Sequence, residues 1–294
     1  MKRIVAPVIA ALAMAMLASC AVTPAPHGVN IVASTDVYGS IASAIAGDHA
    51  TVTSLINSPS QDPHEFEASA RAQLDLSRAD VILMNGGGYD GFMDVLLSGA
   101  HNSAATVLRA VDFSAKSDAD ITANEHVWYD LRTVRALADA LAESLATIDP
   151  ANARDYRANS QLFDSELGDL QARAHDIAAA HPGGTVLVTE PVPLYLLQDA
   201  GLTNLTPAAF STAIENGQGV PPATMKDVLD LLASGEVGLL AYNEQTGGPE
   251  TAQIVAAAKT HRVPVIAVTE TLPAGLDYLS WMSDNIRAIA GALS

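Results

Sequence analysis

The chain has 294 residues, enough for one large domain or two lobes around a sizeable buried core. Hydrophobic residues make up 49% and charged residues 16%, which excludes intrinsic disorder. The 33 acidic against 15 basic residues give a formal charge of −18, which argues against nucleic acid as a partner because phosphates would be repelled. Aromatics at 5% argue against stacking platforms, and a single cysteine excludes a disulfide framework or a cysteine-rich metal cluster.

Lys2 and Arg3 precede an apolar stretch, Val5 to Leu17, of signal-peptide length and too short to span a bilayer comfortably. It ends in Leu17-Ala18-Ser19-Cys20, small residues ahead of the lone cysteine, similar to a bacterial lipobox. In that reading residues 1–19 are a lipoprotein signal peptide, the thiol of Cys20 is lipidated, and residues 20–28 are a Pro-containing tether. The plainer reading is an ordinary signal peptide with an incidental cysteine. No later stretch has about 18 uninterrupted apolar residues. The expected location is therefore the outer face of the cytoplasmic membrane, with the lipid as the only membrane contact.

Strand and helix patterns then alternate. Strands are predicted at Val29–Ser34, Thr51–Ile56, Asp80–Asn85 and Thr106–Val111, with helices near Tyr38–Ala46, Arg71–Arg78 and Phe92–Ser98. Leu131–Thr147 is an amphipathic helix, with Leu131, Val134, Leu137, Leu141 and Leu145 at spacings of three and four. Asp149-Pro150 breaks it, and Ala151–Ala180 reads as one long polar helix stopped by His181-Pro182-Gly183-Gly184. A helix of that length suits a strut between lobes better than a core element. Strands follow at Thr185–Thr189, Thr203–Leu205, Gly238–Tyr242 and Val263–Thr269, with helices near Val192–Ala200, Pro222–Ser234, Glu250–Thr260 and Leu276–Leu293. The fold class is α/β: two lobes, each a mostly parallel sheet flanked by helices, joined by one long rigid helix. The boundaries are 29–148 for the first lobe, 149–183 for the linking helix and 184–294 for the second lobe.

Gly86-Gly87-Gly88-Tyr89-Asp90-Gly91 matches G-x-G-x-x-G after a strand, with Asp112 21 residues beyond Gly91. It sits in the third β-unit rather than the first, and the following helix is short. It is read as a tight strand-to-helix turn rather than a dinucleotide site. No G-x-S-x-G is present, and His64-Glu65-Phe66-Glu67 lacks the second histidine of H-E-x-x-H.

Six of the eight histidines have plain explanations: His27 in the tether, His49 and His101 in turns or loops, His175 on a polar helix, His181 and His261 at helix ends. Two do not. His64, in Asp62-Pro63-His64-Glu65-Phe66-Glu67, and His126, in Asn124-Glu125-His126-Val127-Trp128, each follow the carboxyl end of a strand in one sheet. Glu190 and Glu244 hold matching places after two strands of the second lobe. Ligands of open α/β sheets bind beyond the carboxyl ends of strands. If the lobes face each other, imidazole nitrogens and carboxylate oxygens meet in a cleft and suit a borderline divalent metal such as Zn²⁺, Mn²⁺ or Fe²⁺.

These residues, with Ser34-Thr35-Asp36-Val37-Tyr38-Gly39, the long central helix and the ending Glu270-Thr271-Leu272-Pro273 with Tyr278, Trp281 and Met282, carry a resemblance over nearly the whole mature chain. The chain resembles the metal-binding lipoproteins of zinc/manganese ABC importers, the cluster A-I solute-binding proteins. The resemblance implies two lobes joined by a rigid helix and one cargo ion, Zn²⁺ or Mn²⁺, held by four loops. His64, His126 and Glu190 match three of the ligands. The fourth, sought in the loop after Gly238–Tyr242, falls near Gly247, which has no ligand atom; Glu244 is the substitute, with Asn243, Gln245 or water as alternatives. The implied protein is a monomer and not an enzyme, and it delivers metal to an ABC permease without binding nucleic acid. Rival readings are an exported metal-dependent hydrolase, with a base such as Glu65, and a surface adhesion lipoprotein.

Overall fold

The structure is a computed structural model, and it describes residues 28–58, 66–67 and 69–294. Cys20, His64 and Glu65 lie outside the described residues.

The first domain runs β1 (Val29–Thr35), α1 (Asp36–Ala46), β2 (Ala50–Ile56), α2 (Ala70–Ser77), β3 (Val81–Met84), α3 (Phe92–Ala100), β4 (Thr106–Arg109), α4 (Asp118–Ala123) and α5 (Leu131–Ile148). The long helix α6 (Ala153–Ala180) follows. The second domain comprises β5 (Thr185–Val188), α7 (Leu194–Asp199), β6 (Thr203–Asn204), α8 (Ala208–Glu215), α9 (Pro222–Ser234), β7 (Leu239–Asn243), α10 (Pro249–Thr260), β8 (Val265–Val268) and α11 (Tyr278–Ala292).

Each sheet has four parallel strands, in the orders β2-β1-β3-β4 and β6-β5-β7-β8. The same crossover pattern therefore occurs twice, although the two halves show no sequence repeat. Strand side chains alternate between faces, and the strands are apolar on both. Ile31, Ala33, Val81 and Leu83 face one layer, while Val32, Ile82 and Met84 face another with Leu76, Phe92 and Leu96. In the second sheet Val186, Val188, Leu239 and Ala241 face inward, while Leu187 and Leu240 face Phe210, Leu232 and Ile254. The inward layers of both sheets belong to one continuous apolar cluster, with an outer cluster behind each sheet.

Helix α6 spans about 42 Å at 1.5 Å per residue and packs on α1 and α5 of the first domain and on α7 and α11 of the second. It is more than a strut. Tyr156, Ser160, Phe163, Leu167, Leu170, Ala174 and Ile177 are buried at alternating spacings of four and three, the narrow seam of a helix that packs along its whole length. All but Ser160 join the shared inner cluster.

Gly86, Gly87 and Gly88 carry φ values of +79°, +67° and +107° in succession. A side chain disfavours that region, and a Cβ on Gly86 would stand 2.8 Å from Val111 Cγ2. The turn is closed by Asp90, whose carboxylate accepts from the backbone N–H of Asn85 at 2.6 Å and of Gly86 at 2.8 Å. The glycines thus build a self-capped turn occupied by the protein's own carboxylate.

Candidate metal centre

The residues of interest converge beyond the carboxyl ends of the strands. His126 lies in the connection from β4 to α5 and is 1% exposed. Asn124 Oδ1 accepts from the His126 backbone N–H at 3.1 Å and lies 2.8 Å from His126 Nδ1. The Asn124 amide nitrogen donates to the Pro191 carbonyl at 3.1 Å. A carbonyl only accepts, so this bond fixes which end of the amide faces the ring. The ring nitrogen meeting the amide oxygen must then carry the proton, which makes Nε2 the basic nitrogen. Tyr89 and Trp128 pack edge-on to the ring at 5.8 and 5.0 Å between centroids. The loop is anchored from the glycine turn, where buried Asn85 donates to the Glu125 carbonyl at 2.9 Å and accepts from the Tyr38 hydroxyl.

Glu190 lies two residues beyond the Val188 end of β5 and is 2% exposed. Asn243, the last residue of β7, donates from Nδ2 to Glu190 Oε2 at 2.5 Å, and the Thr246 hydroxyl donates to Oε1. The same Asn243 Nδ2 donates to Glu270 Oε1 at 2.7 Å. Glu270, 5% exposed, stands just past β8. Its backbone is held by Gln245 Oε1, which accepts from the N–H of Glu270 at 2.6 Å and of Thr271 at 3.2 Å.

Two buried carboxylates therefore share one neutral amide. Like charges placed together away from water are costly unless neutralised, and a divalent cation is a group of the right charge to do so. The donor set of carboxylate oxygens and an imidazole nitrogen fits Zn²⁺ or Mn²⁺. Glu215, at the end of α8, adds another carboxylate, with Oε1 3.9 Å from His126 Nε2. Burial, followed by the charges of Glu125, Glu190 and Glu270, pushes its carboxyl up to about 8.

Of the sequence candidates, His126 and Glu190 are both buried, and Asn124 ties the His126 loop to Pro191 beside Glu190; among the described residues the ligand atoms within 4.8 Å of one another are those of Glu125, His126 and Glu215. Glu244 does not join them: its side chain is exposed. Consecutive residues at a strand end point to opposite sides, so with Asn243 turned inward, Glu244 turns out. Asn243 and Gln245 orient the acids. The first of two nearby carboxylates that sequence reasoning did not single out is Glu270. Its signal was available, because it follows a strand as Glu190 does. Glu215 had no such signal, since α8 itself was not predicted.

Cross-domain hydrogen bonds fix the arrangement. Tyr129 Oη donates to the Thr269 carbonyl at 2.8 Å, Tyr278 Oη to the Trp128 carbonyl at 2.6 Å, and Tyr195 Oη to the Asn124 carbonyl at 2.6 Å. Asp36 Oδ1 accepts from the Leu272 N–H at 3.2 Å. No helix among the described residues is long and apolar enough to cross a membrane.

Two parallel-sheet domains with buried polar side chains gathered at their strand ends are the architecture of a solute-binding protein. The chain belongs to the family described as zinc-uptake complex component A, periplasmic, whose model matches residues 31–292. It is 24% identical over 285 residues to the metal ABC transporter substrate-binding lipoprotein ScbA of Streptococcus cristatus, a match covering 90% of this chain and 89% of that one. It is 26% identical over 167 residues to the manganese-binding lipoprotein MntA of Halalkalibacterium halodurans, where the match covers 56% of this chain and about half, 55%, of the relative. The solved structure of SBP FpvC of Pseudomonas aeruginosa in complex with Mn²⁺ superposes with a TM-score of 0.75 at 22% identity. That match covers 91% of this chain and 98% of that one, and it shows a common fold. The family is one of solute-binding proteins rather than enzymes.

Proposed function

We propose that the protein captures one divalent transition metal per chain, Zn²⁺ or Mn²⁺, between its two domains and delivers it to an ABC permease. The ligands are His126 through Nε2, Glu190 and Glu270, completed by His64 from the segment outside the described residues. The observation that carries this reading is the single Asn243 amide shared by the buried Glu190 and Glu270 carboxylates. In this reading the amide holds two acids poised for a cation, and their two charges neutralise it. The names of the relatives, which specify metal and manganese binding, support a metal cargo. Glu244 is left outside the ligand set by its exposure. A lipid on Cys20 keeps the protein at the outer face of the membrane, as the lipoprotein names of the relatives support.

The test is metal content by elemental mass spectrometry after equilibration with equimolar Zn²⁺ and Mn²⁺. The expected result is about one ion per chain, lost in His64→Ala, His126→Ala, Glu190→Ala and Glu270→Ala and kept in Glu244→Ala. An intact chain that retains no metal overturns the reading. Delivery is tested separately: metal off-rates that are the same with and without the permease in proteoliposomes would sink it.

A further inference from the structure

Glu215 breaks a local rule. It is the last residue of α8, where the helix dipole disfavours negative charge, and it faces the fields of three other carboxylates, Glu125, Glu190 and Glu270. Residues that violate local preferences without local compensation mark functional positions. Glu215 Oε1 is shielded from solvent, and no hydrogen bond reaches it among the described residues. Its neighbour is the basic Nε2 of His126, 3.9 Å away. Metal–nitrogen and metal–oxygen bonds of about 2.0–2.2 Å place two ligands of one ion no more than about 4.3 Å apart. The observed separation falls inside that limit, and the ligand atoms of Glu125, His126 and Glu215 all lie within 4.8 Å of one another.

Position adds a second argument. A cleft of about 810 Å³ opens beside the centre, lined by Glu125, Pro191, Ser211, Glu215 and Thr246 among others. Glu215 therefore faces solvent-accessible space on one side and the buried imidazole on the other. It is anchored there by Phe210 and Ala213, the buried residues of its short helix.

We propose that Glu215 is an additional oxygen ligand of the cargo ion, closing the site on its cleft side and biasing it towards a hard, more highly coordinated cation such as Mn²⁺ over Zn²⁺. The inference rests on the metal-capture reading and deepens it. With Glu190 and Glu270 it brings three carboxylates to the ion, more than tetrahedral Zn²⁺ uses beside histidine, whereas Mn²⁺ favours oxygen donors and octahedral geometry.

The experiment compares the full chain with Glu215→Gln, Glu215→Asp and Glu190→Gln. Zn²⁺ and Mn²⁺ affinities are measured by chelator competition, and the coordination shell by X-ray absorption on the Mn²⁺-loaded protein. The expected result is at least a tenfold loss of Mn²⁺ affinity in Glu215→Gln with less than a threefold change for Zn²⁺. One fewer oxygen in the Mn²⁺ shell and partial recovery in Glu215→Asp should accompany it. Unchanged affinities, or equal losses for both metals with an unchanged shell, overturn the assignment of Glu215 while Glu190→Gln still abolishes binding. If the intact chain and Glu190→Gln bind neither metal, the capture reading itself falls. Thermal melts of the metal-free variants identify any loss that comes from misfolding.

Discussion

The Asn124 side chain donates to the Pro191 carbonyl at 3.1 Å while its oxygen meets His126 Nδ1 at 2.8 Å. One residue thus sets the imidazole's tautomer and ties the loop of His126 to the loop of Glu190. Replacing a partner that orients a metal-binding histidine costs about 10–100-fold in affinity. Asn124→Ala is expected to weaken metal binding by that factor in chelator competition. Asn124→Asp is expected to restore the ring contact but not the donation to Pro191. Wild-type affinity in Asn124→Ala would remove the orienting role.

Asn243 has a different task. In the metal-free protein it is the shared donor between Glu190 and Glu270. A hydrogen bond to a charged group contributes about 1.5–3 kcal/mol. Asn243→Leu is therefore expected to destabilise the metal-free chain by about 2–4 kcal/mol, and much less once metal is bound. Melting curves with and without Zn²⁺ read this as a larger metal-induced rise in Tm for the variant. An equal rise in both proteins contradicts it.

The Glu215 carboxyl makes a pH prediction with a definite sign. Its folded-state value of about 8 lies above the ordinary 4.5. The raised value means that the neutral acid is the form the metal-free fold tolerates. The corresponding stability is complete below about pH 4.5 and is lost as pH climbs through about 8. Urea midpoints of the metal-free chain should fall between pH 5.5 and pH 9, and Glu215→Gln should fall less. A variant with the same slope as the parent refutes the assignment.

Tyr129 offers a test of cross-domain bracing. Its hydroxyl donates to the Thr269 carbonyl, immediately before Glu270. Tyr129→Phe leaves that buried carbonyl unmet, at a cost of about 1–3 kcal/mol. The expected outcome is lower thermal stability together with weaker metal binding. A stability loss with unaltered affinity separates the brace from the site.

Much of this was legible in sequence. β1, β2, α5, α9 and α10 fall within a residue or two of their periodicity-based positions, because apolar spacing and proline or glycine punctuation agree there. Two short helices were not. α4 buries no residue, so it has no apolar stripe to read; its signal was the Ser117–Asp120 capping box. α8 follows Pro207 and buries only Phe210 and Ala213. The site divides the same way. His126 and Glu190 stood out as ligand types after strands. Glu270 obeys the same rule but was read only as part of a terminal motif. Glu215 depends on where α8 lands against the first domain, a tertiary relation that no local pattern encodes.

The inner faces of both sheets and the seam of α6 belong to one apolar cluster. Separately expressed halves would each expose half of that interior to water, so neither should fold alone, and the two domains should unfold in a single transition. Evolution of such a chain is constrained accordingly: the domains share a sheet order, but neither can be exchanged or duplicated without its counterpart. The parts outside that shared cluster are the two outer layers behind the sheets.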